Sequence, residues 1–190
     1  IPSVVQSIMH CDLPPRWERR ILAVQDGSVD RSQELLEEAA RTAPVHILSY
    51  PTRQGMPKSF RGAFDYLEPY LQDDDLVFTM EADATNDIKC AAPMVREIEK
   101  GADVVIASRY APGAMSLGFP WYRLWGSNVI NMLLRFMWNV PHVTDCSVLY
   151  RVYRGVKSDG PDALWAADVC PATVGASATY PVGNQLMPGT

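Results

Sequence analysis

The sequence has no paired cysteines, no excess of basic charge and no long apolar segment. Its four cysteines form no C-x-x-C pair, which argues against a zinc site or a disulfide framework and favours reduced, cytosolic thiols. A formal net charge of -5 argues against nucleic-acid binding, which normally needs a basic face. A secretory signal is not recognisable at the start. Because no stretch reaches the roughly 20 apolar residues that span a bilayer, we expect membrane contact of this chain to be peripheral.

What is present suits a protein with one ordinary core, since 47% of the 190 residues are hydrophobic. We expect a single domain over residues 1–154. From Gly155 onwards the sequence is rich in Gly, Pro, Ala and Ser and has no sustained periodicity. Residues 155–190 are therefore predicted to form an irregular tail that is loosely packed or partly disordered.

Four short apolar runs in the first domain have the composition of buried strands, and helical patterns separate them. The runs cover residues 21–24, 45–48, 76–80 and 102–107. Their alternation with helices predicts an α/β fold, with a mostly parallel sheet and crossover helices on both faces. The unusual polar side chains fall at the carboxyl ends of the runs, where open α/β sheets bind ligands: Asp26, Glu81, Asp83 and Arg109.

The acidic pair after the third run is the first candidate for a ligand site. If the strand continues through Asp83, side chains two residues apart leave the same face. Glu81 and Asp83 could then bind one cation. Taken alone, an E-x-D sequence is more often an acidic turn, and both interpretations stay open at this point.

Other polar positions carry similar pairs of interpretations. The D-G-S sequence from Asp26 to Ser28 gathers polar groups before a helix, or forms a simple turn with a helix cap. Lys58 stands at a helix start, where a bound anion would favour it, although a solvated lysine is the alternative. Arg123 and Ser127 share one face of a helix predicted over residues 121–140, and a surface arginine is the alternative there.

The helix from residue 121 to residue 140 is also broadly apolar, beyond what one buried stripe requires. An apolar surface with arginines near it fits a helix that lies against lipid. Ordinary core packing and a dimer contact are the alternatives.

Four motifs together carry a resemblance: D-G-S-V-D at 26–30, M-E-A-D-A-T at 80–85, A-S-R-Y-A-P-G at 107–113 and D-C-S-V-L-Y-R-V-Y-R at 145–154. In this order they resemble the family 2 glycosyltransferases, and within that family the dolichyl- or polyprenyl-phosphate sugar synthases. The likeness covers residues 1 to about 154.

The resemblance implies a GT-A fold and an inverting transfer of a sugar from GDP-mannose or a UDP-sugar to a polyprenyl phosphate, at the cytoplasmic face of a membrane. It implies that the nucleotide-sugar is held by Asp26, Gly27, Ser28 and Lys58. A divalent ion, Mg²⁺ or Mn²⁺, would be bound by Glu81, Asp83 and Thr85. The acceptor phosphate would be bound by Arg109, Arg123 and Ser127, and the residues implied to be catalytic are Asp83, Arg109 and Arg123.

The sequence also departs from the family pattern. Gln25 replaces an aspartate that relatives carry before D-G-S, and Glu81 replaces a more common aspartate. The expected first strand with its Y-N-E turn is absent, and late E-V-P and R-x-x-G-x-S-K motifs are not recognisable. We therefore expect a fragment that lacks one central strand. Two alternatives follow: a non-catalytic nucleotide-sugar-binding remnant, or the same fold with a glycan or protein hydroxyl as acceptor.

Overall fold

The computed structural model describes residues 1–72, 74–111, 115–116, 121–137, 143–146, 148–155, 177–181 and 183–184. The chain divides into two compact units. The first contains Ile1–Leu71 and Ala82–Ala84, and the second contains Gln72–Glu81 and the chain from Thr85 onwards. The predicted boundary between a domain at 1–154 and a tail at 155–190 stays a prediction. Among the described helices, none is long and apolar enough to cross a membrane.

The first unit alternates helices and strands around two parallel strands. Its elements are α1 (Pro2–Met9), β1 (Ile21–Asp26), α2 (Ser32–Ala40), β2 (Val45–Tyr50), α3 (Met56–Leu67) and a 3₁₀ turn (Glu68–Tyr70). β1 pairs with β2 from Ile21 opposite Val45 to Asp26 opposite Tyr50. The helix α2 therefore makes a crossover connection between parallel strands. The first unit has a buried core with residues from α1, α2 and β2: Val5, Ala39 and Val45.

The second unit contains a sheet of mixed direction. Its elements are β3 (Leu76–Thr79), a 3₁₀ turn (Ile88–Cys90), α4 (Ala91–Glu99), β4 (Val104–Ser108), β5 (Met115–Ser116), α5 (Trp121–Met137), β6 (Arg151–Arg154), β7 (Ser177–Pro181) and β8 (Gly183–Asn184). The strand order is β3-β6-β4-β7, and a separate pair joins β5 to β8.

The strand β6 lies between β3 and β4 and is antiparallel to both. β3 and β4 consequently run in the same direction, and their carboxyl ends lie at one edge of the sheet. The segment before β6 must approach the same edge, because β6 runs the opposite way. All five residues of β4 are buried, and α4 covers this region with Met94 and Ile98, which are 0% and 2% exposed.

The α/β class predicted from the sequence is confirmed, and strands form at all four predicted runs. The sequence did not predict β6, which separates β3 from β4, and β1 and β2 form their own sheet. The strand signal of β6 is hidden because two of its four residues are arginines. Arg151 is nevertheless buried, since it donates to the carbonyl oxygens of Val148 and Cys146.

Several boundaries differ from the predicted ones. β3 ends at Thr79, one residue before the end of the predicted run, and α3, whose start was predicted near Lys58, begins at Met56. The helix α5 is described to Met137, and its predicted continuation to residue 140 lies outside the described residues. Two short strands, β7 and β8, occur within the predicted irregular tail, and most of the other residues of that tail also lie outside the described ones.

The close approach of α3 to β2 gives a test of packing in the first unit. A Cβ atom at Gly62 would lie 1.8 Å from the hydroxyl oxygen of Tyr50. We expect Gly62→Ala to lower the free energy of unfolding by about 1–2 kcal/mol, because the clash outweighs the better helix propensity of alanine. Urea denaturation measures this change.

The added substitution Tyr50→Phe removes the clashing oxygen and should restore part of the lost stability. Gly126→Ala in α5 is the matched control, since a Cβ there meets no atom within 4 Å. That control should gain up to about 1 kcal/mol from helix propensity alone. A Gly62→Ala protein that is as stable as the unsubstituted chain would contradict the packing.

Candidate active site

The acidic pair follows β3 but does not continue it. The strand ends at Thr79, the chain turns at Ala82 and Asp83, and Ala84 adopts a φ of 62°. The same-face geometry that the sequence suggested for Glu81 and Asp83 is therefore wrong, because a turn and not a strand separates them. Both side chains are exposed.

The chemistry of this turn suits a hard divalent cation. Across the part of the chain that the structure describes, no group of three or more His, Cys, Asp and Glu side chains could hold a metal by itself. Mg²⁺, however, is commonly bound by one or two carboxylates together with phosphate oxygens of the substrate. The carboxylates of Glu81 and Asp83 and the hydroxyl of Thr85 are oxygen ligands of the type that this mode uses, and the metal-binding role of these residues stays a prediction.

The carboxylate of Asp26, at the end of β1, organises the loop between β2 and α3. It accepts hydrogen bonds from the backbone N–H groups of Gln54 at 2.6 Å and Gly55 at 2.9 Å. These bonds stabilise the ionised form, and the pKa of Asp26 lies below its ordinary value chiefly for this reason. Asp26 therefore has a structural role that the sequence did not reveal, and its role towards a nucleotide stays a prediction.

The turn after Asp26 is closed by Gln25. This buried side chain donates to the carbonyl oxygen of Ser28 at 3.0 Å and accepts from the N–H of Gly27 at 3.2 Å. Gly27 has a φ of 64°, and a Cβ there would lie 2.3 Å from the nitrogen of Arg53. The glutamine at position 25 thus closes the turn with two side-chain hydrogen bonds.

Lys58 lies exposed in the first turn of α3. That helix has no side-chain cap and no acidic residue in its first turn. A cation at this end opposes the helix dipole unless an anion binds there. The position is compatible with the predicted role of Lys58 towards a nucleotide-sugar, which stays a prediction.

Arg109, the first residue after β4, forms an ion pair with Asp145. Oδ2 of Asp145 lies 2.9 Å from Nε of Arg109, and Oδ1 lies 3.3 Å from Nη2. The side chain of Asp145 is 0% exposed and that of Arg109 is 20% exposed. The arginine is therefore anchored from the inside of the protein while part of it reaches the surface.

The electrostatic surroundings of Arg109 are acidic. Burial alone would lower its pKa, but the hydrogen bond and charge of Asp145 outweigh this effect, and Tyr110 and Glu81 add to the increase. The pKa of Arg109 is consequently raised above its ordinary value. The structure thus brings two of the predicted site residues, Glu81 and Arg109, within electrostatic reach of each other.

The helix α5 turns its polar face towards the segment that carries Asp145. Asn131 is 2% exposed, and its Oδ1 accepts a hydrogen bond from the N–H of Cys146 at 3.0 Å. Ser127 is half-buried one turn earlier, and a spacing of four residues puts it on the same face. Arg123 continues that spacing, and its side chain lies outside the described ones.

The opposite face of α5 is apolar and exposed. Its exposed side chains include Trp125 (68%), Met132 (59%), Leu133 (53%) and Phe136 (87%). Helices on the surface of a water-soluble core normally show the reverse arrangement, with the apolar stripe inside. This face of α5 is therefore open to a partner of low polarity.

Two residues of this region were missed by sequence reasoning. Asp145 belongs to a motif that was recognised, but its ion pair with Arg109 depends on a strand that was not predicted. Asn131 continues the spacing of four from Arg123 and Ser127, and that spacing could have identified it. The guanidinium groups of Arg151 and Arg154, two further arginines of this region, bond to backbone carbonyl oxygens.

Residues 3–154 match the model of the glycosyl transferase family 2 domain. The chain is 31% identical over 136 residues to a polyprenol monophosphomannose synthase of Mycolicibacterium smegmatis, which is 70% of this chain and 50% of that protein. It is 30% identical over 154 residues to an undecaprenyl-phosphate mannosyltransferase of Micrococcus luteus, and the match covers 80% of this chain and 59% of that protein. A dolichol-phosphate mannosyltransferase of Pyrococcus furiosus is 26% identical over 103 residues, and the match covers 54% of this chain and 28% of that protein.

The chain thus spans about half (50%) of the length of the first of these relatives. The matched region includes β1 to β6 and every motif on which the resemblance depends. The mixed α/β structure of this region agrees with the GT-A fold that the sequence predicted. The chain belongs to glycosyl transferase family 2.

Proposed function

We propose that this chain carries the catalytic domain of an enzyme that moves a sugar from a nucleotide-diphosphate sugar to a polyprenyl phosphate. The supporting observation is the anchored Arg109 at the carboxyl end of β4, within electrostatic reach of Glu81. Three relatives named for polyprenyl- or dolichyl-phosphate mannose transfer support the same acceptor. The donor class is GDP-mannose or a UDP-sugar.

A phosphate acceptor simplifies the chemistry that the protein must perform. The acceptor phosphate is ionised near neutral pH, so its oxygen can attack the anomeric carbon without a general base. The bond from that carbon to the donor diphosphate breaks on the opposite side, which inverts the configuration. Two anions must lie close together, and arginine binds phosphate oxygens through its planar fork. Arg109, Arg123 and Ser127 are the residues proposed to hold the acceptor phosphate.

We assign two groups of residues to the donor. The nucleotide-sugar would contact the turn of Asp26, Gly27 and Ser28, and Lys58 at the start of α3. Glu81 and Asp83, with Thr85, would hold Mg²⁺ or Mn²⁺, and the ion would supply positive charge that stabilises the departing diphosphate.

The exposed apolar face of α5 is the proposed contact with the membrane that contains the lipid acceptor. Its apolar side chains would enter the interface between headgroups and acyl chains. The opposite face carries Ser127 and Asn131, and by its spacing Arg123. In this orientation the polar face of α5 is directed away from the lipid, towards the segment with Asp145. We place the enzyme at the cytoplasmic face of the membrane.

The function is tested by transfer of radiolabelled mannose from GDP-mannose, and of labelled sugars from UDP-sugars, to a polyprenyl phosphate. We expect Asp83→Asn to lower the Mn²⁺-dependent rate about 100-fold, because a metal ligand is lost. Asp65→Asn, an exposed aspartate of α3, is the matched control and should leave the rate unchanged. Undiminished metal-dependent transfer by Asp83→Asn, or transfer only to hydroxyl acceptors, would overturn the proposal.

The lowered pKa of Asp26 predicts a pH-dependent contribution to stability. The contribution is complete above the pKa of the unfolded state, about 3.9, and is lost as the pH falls through the lower pKa of the folded state. Asp26→Asn should therefore be less stable than the unsubstituted chain at pH 6, and the difference should shrink towards pH 3. Urea denaturation at several pH values measures it. A difference that does not depend on pH would show that the charge of Asp26 has no part in the loop.

The membrane contact predicts binding to lipid vesicles. We expect the chain to float with vesicles that contain anionic lipid, and Phe136→Ser to weaken binding at least about tenfold, since an exposed phenylalanine gains about 1.5–3 kcal/mol on burial. Tyr70→Ser removes another exposed aromatic side chain, 68% exposed in the first unit, and should have no effect. Equal binding of the two variants to vesicles would refute the role of α5. Sedimentation without vesicles shows whether the same face instead binds a second copy of the chain.

A further inference from the structure

We propose that Asp145 is a positioning residue that holds the guanidinium of Arg109 in one orientation before an acceptor phosphate binds. This inference rests on the proposed function, because it assumes that Arg109 binds that phosphate. Asp145 itself is 0% exposed, so it acts through Arg109 and does not contact the acceptor.

The carboxylate of Asp145 contacts Arg109 at three points. Nε donates to Oδ2 at 2.9 Å, Nη2 donates to Oδ1 at 3.3 Å, and the backbone N–H of Arg109 lies 3.4 Å from Oδ2. Two parallel bonds fix the plane of the guanidinium, and the third ties that plane to the end of β4. The direction of the side chain is therefore determined by the protein alone.

The segment that carries Asp145 is held in place on both sides. The hydroxyl of Thr144 forms a hydrogen bond with the hydroxyl of Ser108, the last residue of β4. On the other side the N–H of Cys146 donates to Asn131 of α5, and the carbonyl of Cys146 accepts from Arg151 at 3.0 Å. Asp145 thus has a fixed position from which to orient its partner.

A second arginine–aspartate pair in the same unit shows what a structural pair looks like. Arg154 and Asp103 lie 3.8 Å apart, both about one-third exposed, near the start of β4. The guanidinium of Arg154 bonds to the carbonyl oxygens of Ile98 and Ala102, and ion pairs with this degree of exposure normally contribute little to stability. The pair at the carboxyl end of β4 instead buries its carboxylate completely and leaves 20% of the arginine exposed.

Stability alone does not account for this arrangement. Replacement of a buried ion pair by apolar side chains is often neutral or stabilising. A pre-oriented arginine, in contrast, loses less side-chain entropy when it binds an anion. The gain from Asp145 is therefore expected in the affinity for phosphate.

The test measures binding of geranyl phosphate, a short soluble acceptor analogue, to the 190-residue chain by ³¹P NMR titration. We expect Asp145→Asn to raise the dissociation constant about tenfold, and Asp103→Asn, the matched control, to change it less than twofold. Binding of GDP with Mn²⁺, measured by calorimetry, should be unchanged in both variants. Equal affinity of Asp145→Asn and the unsubstituted chain overturns the inference alone. Failure of the unsubstituted chain to bind geranyl phosphate overturns the proposed acceptor as well.

A second measurement needs no substitution and covers the case in which Asp145→Asn does not fold. In the ligand-free chain, the Nε–H group of Arg109 should exchange slowly with water and give an ordered ¹⁵N signal. Arg31, whose side chain is 81% exposed and pairs with Glu34 on the surface, is the reference for a mobile arginine. An Arg109 signal as mobile as that of Arg31 overturns the proposal.

Turnover separates positioning from a direct chemical role. If Asp145 positions Arg109, Asp145→Asn raises the KM for the acceptor more than it lowers kcat. A loss of kcat with an unchanged KM and unchanged phosphate binding would assign Asp145 to proton transfer and overturn the positioning role.

Discussion

A carboxylate without solvent exposure needs hydrogen-bond donors, and Asp145 obtains them from Arg109. This ion pair joins Arg109, at the end of a fully buried strand, to Asp145, which lies 36 residues later in the chain. It fixes the position of the one predicted site arginine whose side chain is described. The surrounding bonds of Ser108, Asn131 and Arg151 all serve to keep the segment with Asp145 at this edge.

The direction of β6 explains why the pair can form. If β6 ran parallel to β3 and β4, the segment before it would lie at the amino ends of those strands, far from Arg109. Because β6 is antiparallel to both, its preceding residues return to the carboxyl ends. The same edge also receives Glu81, whose charge contributes to the raised pKa of Arg109. One reversed strand therefore assembles the acidic and basic groups of the second unit.

The sequence predicted the class of the fold and the ends of the strands where polar groups gather, because apolar runs and helical spacing are local signals. It did not predict β6, since Arg151 and Arg154 interrupt the apolar pattern. The guanidinium of Arg154 bonds to a carbonyl oxygen 52 residues earlier in the chain, that of Ala102, which no local pattern reveals. For Glu81 and Asp83 the sequence left a strand and an acidic turn open, and the turn that ends at Ala84 with its positive φ excludes the strand. The structural role of Asp26 was equally hidden, because its partners lie 28 and 29 residues later.

The rotation of α5 about its own axis is restricted by a polar contact on its inner face. The bond of Asn131 to the N–H of Cys146 fixes which face of α5 is turned inwards. Since Ser127 shares that face, rotating α5 to bury Phe136 and Leu133 would carry Ser127 away from the segment with Asp145. In water such a rotation would be favoured, because burial of apolar side chains is the dominant stabilising term. The polar contact of Asn131 opposes it, and a lipid surface would remove the cost of leaving the apolar face exposed. As long as the bond of Asn131 to Cys146 is kept, the apolar face of α5 therefore stays exposed.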